Sequence, residues 1–396
     1  MNVTARIGPA TAEIVLFNKG GRDFRMARLE RGEETPREFF YGYFDVLAAG
    51  LSANMLSSAG AVPGVAGAIA DRIERAFAAL TGFGVRPLSA RLSAGSFAKA
   101  KVVMSYTDGF SLSLGLGLER SPDRPVLMGG FHCLSDIEGR APAALRGLVR
   151  SIIRRSLAGL DYLFFFGPAD RQISIERYGL PEERSSVIRF GVDTEFWRPL
   201  PGEPAADFVV AVGQDHNRDY DLLASIPGGH PIRIVTRQPV RVPPDATNVS
   251  TTVGDYFGSD AMTDEELRRL YNMASAVVVP LKDVYQPSGY SVTLQAMSCG
   301  RPIILTRTRG LWAPELFVDG ANCLLVPPGD RAALAVAVGR LRSDHDLAAR
   351  IGLAGRELAL AHFNLAQIGK GSVELARLGL KLHAARAAAS SRPGTD

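Results

Sequence analysis

Two doubly wound α/β domains are what this sequence predicts, on three observations. Both halves alternate short β-branched apolar runs with helical patterns, as parallel strands covered by helices require. At 396 residues the chain exceeds what one ordinary core fills. A turn-rich segment, Leu200-Pro201-Gly202-Glu203-Pro204, separates the two strand–helix series. The domains are therefore drawn as 1–199 and 205–365. A C-terminal helix and frayed tail at 366–396 is expected to pack back on the first domain.

In the first domain Glu13–Phe17 reads as a strand. Thr35-Pro36-Arg37-Glu38 then offers an N-cap, a proline at the first helical position and a reciprocal Glu, predicting a helix to about Leu47. The uncharged run between Asp45 and Asp71 reads as helix, loop and helix; Asn54, Pro63 and several Ser and Gly make it a poor membrane span. Val102–Ser105, Pro125–Met128 and Tyr162–Phe166 are further strands, and Leu145–Leu157 is an amphipathic helix. The second domain is cleaner, with strands expected at Phe208–Val212, Ile232–Thr236, Ala276–Pro280, Pro302–Thr306 and Asn322–Val326. Thr263-Asp264-Glu265-Glu266 is a capping box that opens a helix to about Ala274. Cys299-Gly300 closes another helix.

Composition narrows the class. The chain is 46% hydrophobic and 22% charged, and its three cysteines are far apart, so they read as buried thiols of a reducing compartment. The first residues, MNVTARIGPATAEIV, lack the basic-then-apolar pattern of a secretory signal, and a cytoplasmic location is expected. The net charge of +4 lies in the first half without a basic stripe interleaved with aromatics, so nucleic acid is not an expected partner. Arg146, Arg150 and Arg154 recur every four residues. A solvated helix face is the favoured reading of them, and weak peripheral contact with anionic lipid or an anionic acceptor is the lesser one.

The turn Pro287-Ser288-Gly289-Tyr290-Ser291 leads into a helix ending at Cys299. Such a start presents backbone N–H groups and a positive helix pole, which suit a diphosphate, with Gly289 allowing close approach and Ser288 and Ser291 adding hydroxyls. An ordinary capped turn is the alternative. Arg218, after the glycine-containing strand end Val212-Gly213-Gln214, is expected in the crevice at the carboxyl edge of the sheet. It would neutralise a leaving diphosphate there, helped by Gln214. Arg301, on the exit from the helix that ends at Cys299, is the weaker candidate to act. Asp219-Tyr220-Asp221 and Asp344-His345-Asp346 have a metal-motif form, but both fall at helix starts, and no metal is predicted.

Several runs in this half, in order and spacing, carry a resemblance. They are SVTLQAMSCGRPII at 291–304, Pro314-Glu315, and DGANCLLVPPGD at 319–330. Gly191–Phe196 with Pro199, and Gly213 with RDYDLL at 218–223, add to them. Together they resemble the retaining glycosyltransferases of family 4, the glycosyl transferases group 1, strongly over about 187–365 and weakly over 1–186. The resemblance implies the GT-B architecture, two Rossmann-like domains facing a cleft. It further implies transfer from a nucleoside-diphosphate sugar as co-substrate to a hydroxyl acceptor (glycan, lipid-linked or small molecule), with retention and with neither cofactor nor metal. His132, after a strand of the first domain, would then contact the donor sugar or the acceptor hydroxyl. Asp108 is a second acceptor-side candidate, as are Gly20 and Gly21 after the first strand, where a plain turn is the commoner reading.

One departure stands out. The family pairs two Glu eight residues apart, and here those positions are Pro287 and Gln295. Gln295 retains an amide for a ribose hydroxyl but lacks the strength of a carboxylate. A front-face reaction assisted by the leaving phosphate fits this better than double displacement. A sugar-nucleotide epimerase or phosphorylase of the same fold, and a non-catalytic nucleotide-sugar binder, remain open alternatives.

Overall fold

Short apolar runs build two sheets. In the computed structural model, residues 3–7, 11–19, 22–58, 62, 64–97, 99–118, 121, 123–203, 206–253 and 262–390 are described. The first sheet comprises β1 (Val3–Ile7), β2 (Ile14–Lys19), β3 (Ala53–Ser58), β4 (Val102–Ser105), β5 (Val126–Phe131), β6 (Tyr162–Phe165) and β7 (Ser185–Val187). Its order is β1-β3-β2-β4-β5-β6-β7, parallel except where β1 meets β3. The second comprises β8 (Val209–Val212), β9 (Ile232–Val235), β10 (Val249–Thr252), β11 (Ala276–Val279), β12 (Ile303–Thr306) and β13 (Leu324–Val326). It is parallel throughout, in the order β10-β9-β8-β11-β12-β13. Every residue of β4, β5, β8, β11 and β12 is buried, which is why these strands read as unbroken apolar runs. Each sheet has its own hydrophobic core.

The chain divides into two compact units, and the exchange falls at Phe190 rather than in the turn-rich segment 199–204. The Phe190 ring packs, tilted, against Tyr290 at 4.4 Å and Val192 N donates to Phe363 O at 2.8 Å, so the stretch before Pro199 already packs within the second unit. The second unit also takes Glu34–Glu38 from the N-terminal part, and the chain from Ile368 onward returns to the first.

The helix expected from Thr35 does not form as predicted. Arg37–Phe40 is a single 3₁₀ turn, and the helix that follows runs only from Tyr43 to Ala48, after Gly42. The Glu38 carboxylate, instead of capping, accepts from Trp197 Nε1 at 2.6 Å and Asp193 N at 3.2 Å. Tertiary donors outcompeted the local one. The Thr263 box does form: Thr263 Oγ1 accepts from Glu266 N, and Glu266 Oε2 accepts from Thr263 N. The run from Asp45 to Asp71 also differs, since it contains β3 between two helices, and β3 pairs with both β1 and β2. Its small polar residues disguised it, because partners on either side, not β-branched side chains, hold it in place.

The predicted 145–157 helix spans Arg146–Gly159. Its arginines are engaged locally: Arg150 forks onto Glu138, Arg154 reaches Arg177 O and Arg146 reaches Ala141 O. The C-terminal helix is continuous from Leu365 to Ser390, beyond the expected fraying at Ala384. It is held within the first unit by Tyr106 OH, which donates to Ser372 Oγ at 2.9 Å, and by Ser372 Oγ, which donates to Tyr41 O at 2.8 Å. Gly379 lets it approach β4 and β5 closely: a Cβ there would lie 2.6 Å from Val102 Cγ1 and 2.9 Å from Met128 Sδ. Gly379→Val should therefore lower stability by about 1–3 kcal/mol. An unchanged thermal midpoint would mean the helix is not seated there.

Candidate functional site

In a doubly wound sheet, ligands bind outside the carboxyl ends of the two strands where the order reverses. Counted along the chain, the second sheet reads 3-2-1-4-5-6, so the reversal lies between β8 and β11. The connections leaving these two strands meet at one side chain, Arg218.

The first connection begins at Gly213, with φ of 142°. Its carbonyl accepts from Thr236 Oγ1 at 2.8 Å and Tyr220 OH at 2.9 Å, which fixes the turn. Arg218 N donates to Asp215 O, and Arg218 forms an isolated antiparallel bridge with Leu281 of the second connection. The guanidinium then lies against two glycines. A Cβ on Gly213 would fall 2.8 Å from its Nε, and one on Gly289 would fall 3.1 Å from its Nη1. Arg218 is 5% exposed, yet neither Nε nor Nη1 bonds any described acceptor. A buried guanidinium with idle donors costs several kcal/mol unless an anion meets it.

The second connection supplies more donors. Gly289, with φ of 80°, opens the Tyr290–Ser298 helix without a side-chain cap. The first intrahelical bond is Thr293 N to Gly289 O, so the N–H groups of Tyr290, Ser291 and Val292 point out of the helix start. The Asp215 carboxylate clasps the two connections. It accepts from Gln286 Nε2 at 3.1 Å, from Ser288 Oγ and from Asn217 N at 3.0 Å. Sequence reasoning passed over Asp215; an acid two residues beyond a strand-terminal glycine was the available signal.

Other predicted residues take different places. Ser288 gives its hydroxyl to Asp215, and Pro287 is buried beside it. Ser291 and Tyr290 are half-buried, with the Tyr290 ring on Phe190. Gln214 Oε1 accepts from Arg237 N at 2.7 Å, bracing the exit of β9. Gln295 corrects an expectation. It is 3% exposed, its Nε2 donates to Glu38 Oε1 at 3.1 Å and its Oε1 accepts from Tyr271 OH at 3.5 Å. Both ends of the amide face protein, so it does not present itself to a ribose. The carboxylate missing from position 295 is brought alongside it by Glu38, whose pKa is pushed up to about 7. Burial is the main cause, and the Asp193 charge adds to it against the bonds from Trp197 and Gln295. No local pattern pointed to Glu38 here.

In the first unit, His132 and Asp108 come together at the carboxyl ends of β4 and β5. The Asp108 carboxylate accepts from the backbone N–H of His132 and Cys133 at 3.0–3.2 Å, so it holds the strand-end turn rather than offering itself as a catalytic group. The half-buried His132 ring stacks on Phe166 at 4.2 Å, and its Nε2 lies 2.7 Å from Tyr106 O. A carbonyl partner calls for Nε2–H and puts the lone pair on Nδ1. Burial pushes the imidazole pKa down, against the pull of Asp108, which keeps the ring neutral at pH 7. Gly20 and Gly21 lie outside the described residues. Asp219 and Asp344 are helix N-caps, accepting from Leu222 N and Leu347 N. Among the described residues no group of three His, Cys, Asp or Glu is arranged to hold a metal ion, and no helix is long and apolar enough to cross a membrane.

Known proteins share sequence and fold with this chain. Residues 252–344 match the family described as Glycosyl transferases group 1. The chain is 28% identical over 228 residues to the alpha-maltose-1-phosphate synthase of Mycolicibacterium smegmatis, covering 50% of this chain and 58% of that protein. It thus spans little more than half the length of that curated relative. Among solved structures it resembles sucrose-phosphate synthase from Thermosynechococcus elongatus, with a TM-score of 0.64 at 19% identity over 94% of this chain and 99% of that one. It also resembles HepE of Anabaena in complex with UDP-glucose, with a TM-score of 0.61 at 16% identity over 92% and 99%. The likeness to these structures shows that the chain has the fold of the GT-B glycosyltransferases. The family match at 252–344 falls within the second unit and contains the motifs at 291–330 that carry the resemblance.

Proposed function

We propose that the protein transfers a sugar from a nucleoside-diphosphate sugar to a hydroxyl acceptor, with the donor held by the second unit. The observation that carries this reading is the buried Arg218 guanidinium, whose Nε and Nη1 meet no acceptor among the described residues, beside a helix start that has no side-chain cap. A diphosphate supplies the two things this spot lacks, negative charge and acceptor oxygens. The same groups stabilise that charge as it grows on the leaving group, which is where a transferase gains most. HepE, solved with UDP-glucose, makes a uridine donor the first to try.

The reaction proceeds with retention and without metal. The position of the family's first Glu holds Pro287, and Gln295 is occupied by Glu38, so no carboxylate of that pair serves as nucleophile. A leaving phosphate oxygen takes the acceptor proton instead. In the first unit, His132 at the carboxyl end of β5 meets an acceptor or sugar hydroxyl.

The test is a thermal-shift series with UDP, GDP, ADP and their sugars, followed by turnover with and without EDTA. One base is expected to raise the midpoint, corresponding to about 2.7 kcal/mol at one hundred times its Kd. Turnover is expected to survive EDTA. Isomerisation of the donor with no acceptor present would instead make the protein an epimerase, and binding without turnover would make it a carrier or sensor.

A further inference from the structure

The second unit has another concavity, at the opposite ends of its strands. Asp207 precedes β8, His230 precedes β9, Ser275 precedes β11 and Arg301 precedes β12; together they line a cavity of about 560 Å³. Arg342, near the end of the Arg331–Ser343 helix, and His345, at the start of the next, complete it. This volume falls in the range of small-molecule sites. The donor-side features, Gly213, Arg218 and Gly289, all follow strands, so this amino-edge cavity is no part of that site.

Its charge is unbalanced. Asp207 is the one carboxylate on the wall among the described residues, and Arg342 already holds it: Nε donates to Oδ1 at 2.8 Å and Nη2 to Oδ2, while Nη1 faces His230 Nδ1. That pairing leaves Arg301 without an acid. Arg301 makes no ion pair among the described residues, and its buried Nε bonds no acceptor. His230 and His345 add imidazole N–H donors to the same wall. Arg124, Arg268 and Arg386 also have a buried Nε without an acceptor, but each is ion-paired, whereas Arg301 is not, and nothing in sugar transfer at the carboxyl edge calls for an unmatched arginine here.

We propose that this cavity is a second anion site, binding a small phosphate-bearing metabolite, with Arg301 as its principal contact. Arg301 meets the phosphate oxygens as a charge-assisted donor, Arg342 and the two imidazoles contribute from the side, and the remaining volume admits a group the size of a sugar.

Calorimetric titration with inorganic phosphate and with glucose 6-phosphate tests this on the full chain. The parent is compared with Arg301→Gln, His345→Glu and Arg218→Ala. Glutamate at position 345 starts a helix, where an acid is favoured, so this variant folds even if Arg301→Gln does not. The expected result is at least a tenfold rise in the dissociation constant for both amino-edge variants, with no change in Arg218→Ala. Tighter binding of glucose 6-phosphate than of phosphate would identify an ester as the ligand, and equal binding a free phosphate; both support the site. Absence of binding to the parent, indifference to His345→Glu, or loss in Arg218→Ala would overturn it. The donor reading is judged separately, by whether Arg301→Gln still binds the nucleotide.

Discussion

Arg218→Ala should abolish nucleotide binding and yet leave the ligand-free protein as stable as the parent, or more stable. The guanidinium is 5% exposed, and its Nε and Nη1 bond no acceptor among the described residues, so without ligand it is a buried charge with idle donors. Removing such a charge relieves a penalty, whereas removing a structurally bonded arginine would strand its acceptors. With donor present the balance reverses. Loss of one preorganised donor to a developing charge typically costs about 100- to 1,000-fold in rate, roughly 3–4 kcal/mol, and kcat/KM should fall by that much. Arg218→Lys should recover part of the binding, as a point charge in place of a fork. The decisive pair of measurements is the thermal midpoint with and without nucleotide. A variant that melts lower when empty, and is still raised by nucleotide to the same extent, would show that Arg218 is a scaffold residue.

The second large effect concerns Glu38. Its carboxyl is 1% exposed, with Trp197 Nε1, Asp193 N and Gln295 Nε2 as donors, and its pKa is pushed up to about 7. An acid raised in the folded state binds its proton more tightly when folded. Its favourable contribution is full below the unfolded value near 4.5 and is lost as pH rises through 7. That window is worth on the order of 3 kcal/mol. Stability of the second unit should therefore decline from about pH 5 to pH 8, followed through the fluorescence of Trp197. Glu38→Gln keeps an oxygen for Trp197 and Gln295 and removes the titration, so its profile should be flatter by that amount. Glu38→Ala leaves three buried donors without an acceptor and should be destabilised by several kcal/mol at every pH. Equal slopes in the parent and Glu38→Gln would rule out Glu38 as the titrating group.

Much of the second unit was legible from local pattern. Its β-branched runs at 208–212, 232–236, 276–280, 302–306 and 322–326 all became strands, and the Thr263 box became a real cap. Strands buried on both faces must be apolar throughout, and a cap involves residues three apart, so each signal is written within a few positions. The first unit was less legible because β1 and β3 depend on pairing across the chain; β3, with the sequence ANMLSS, has no pattern of its own.

At the candidate sites the same division holds. Sequence alone determined the residue types that carry the proposal: a glycine after β8, an arginine five residues on, and a glycine opening the 290–298 helix. Only the tertiary structure decided what those residues do. It set Arg218 between Gly213 and Gly289 with no acceptor for its Nε and Nη1 among the described residues, and it turned Asp108 into a clamp for backbone N–H groups. It also filled the partner side of Gln295 with Glu38, 257 residues away, and left Arg301 unmatched in a cavity. The physical reason is that propensity, capping and periodicity act between near neighbours. Burial and the pairing of charges depend on which distant segments share one volume, and that is set only when the chain has packed.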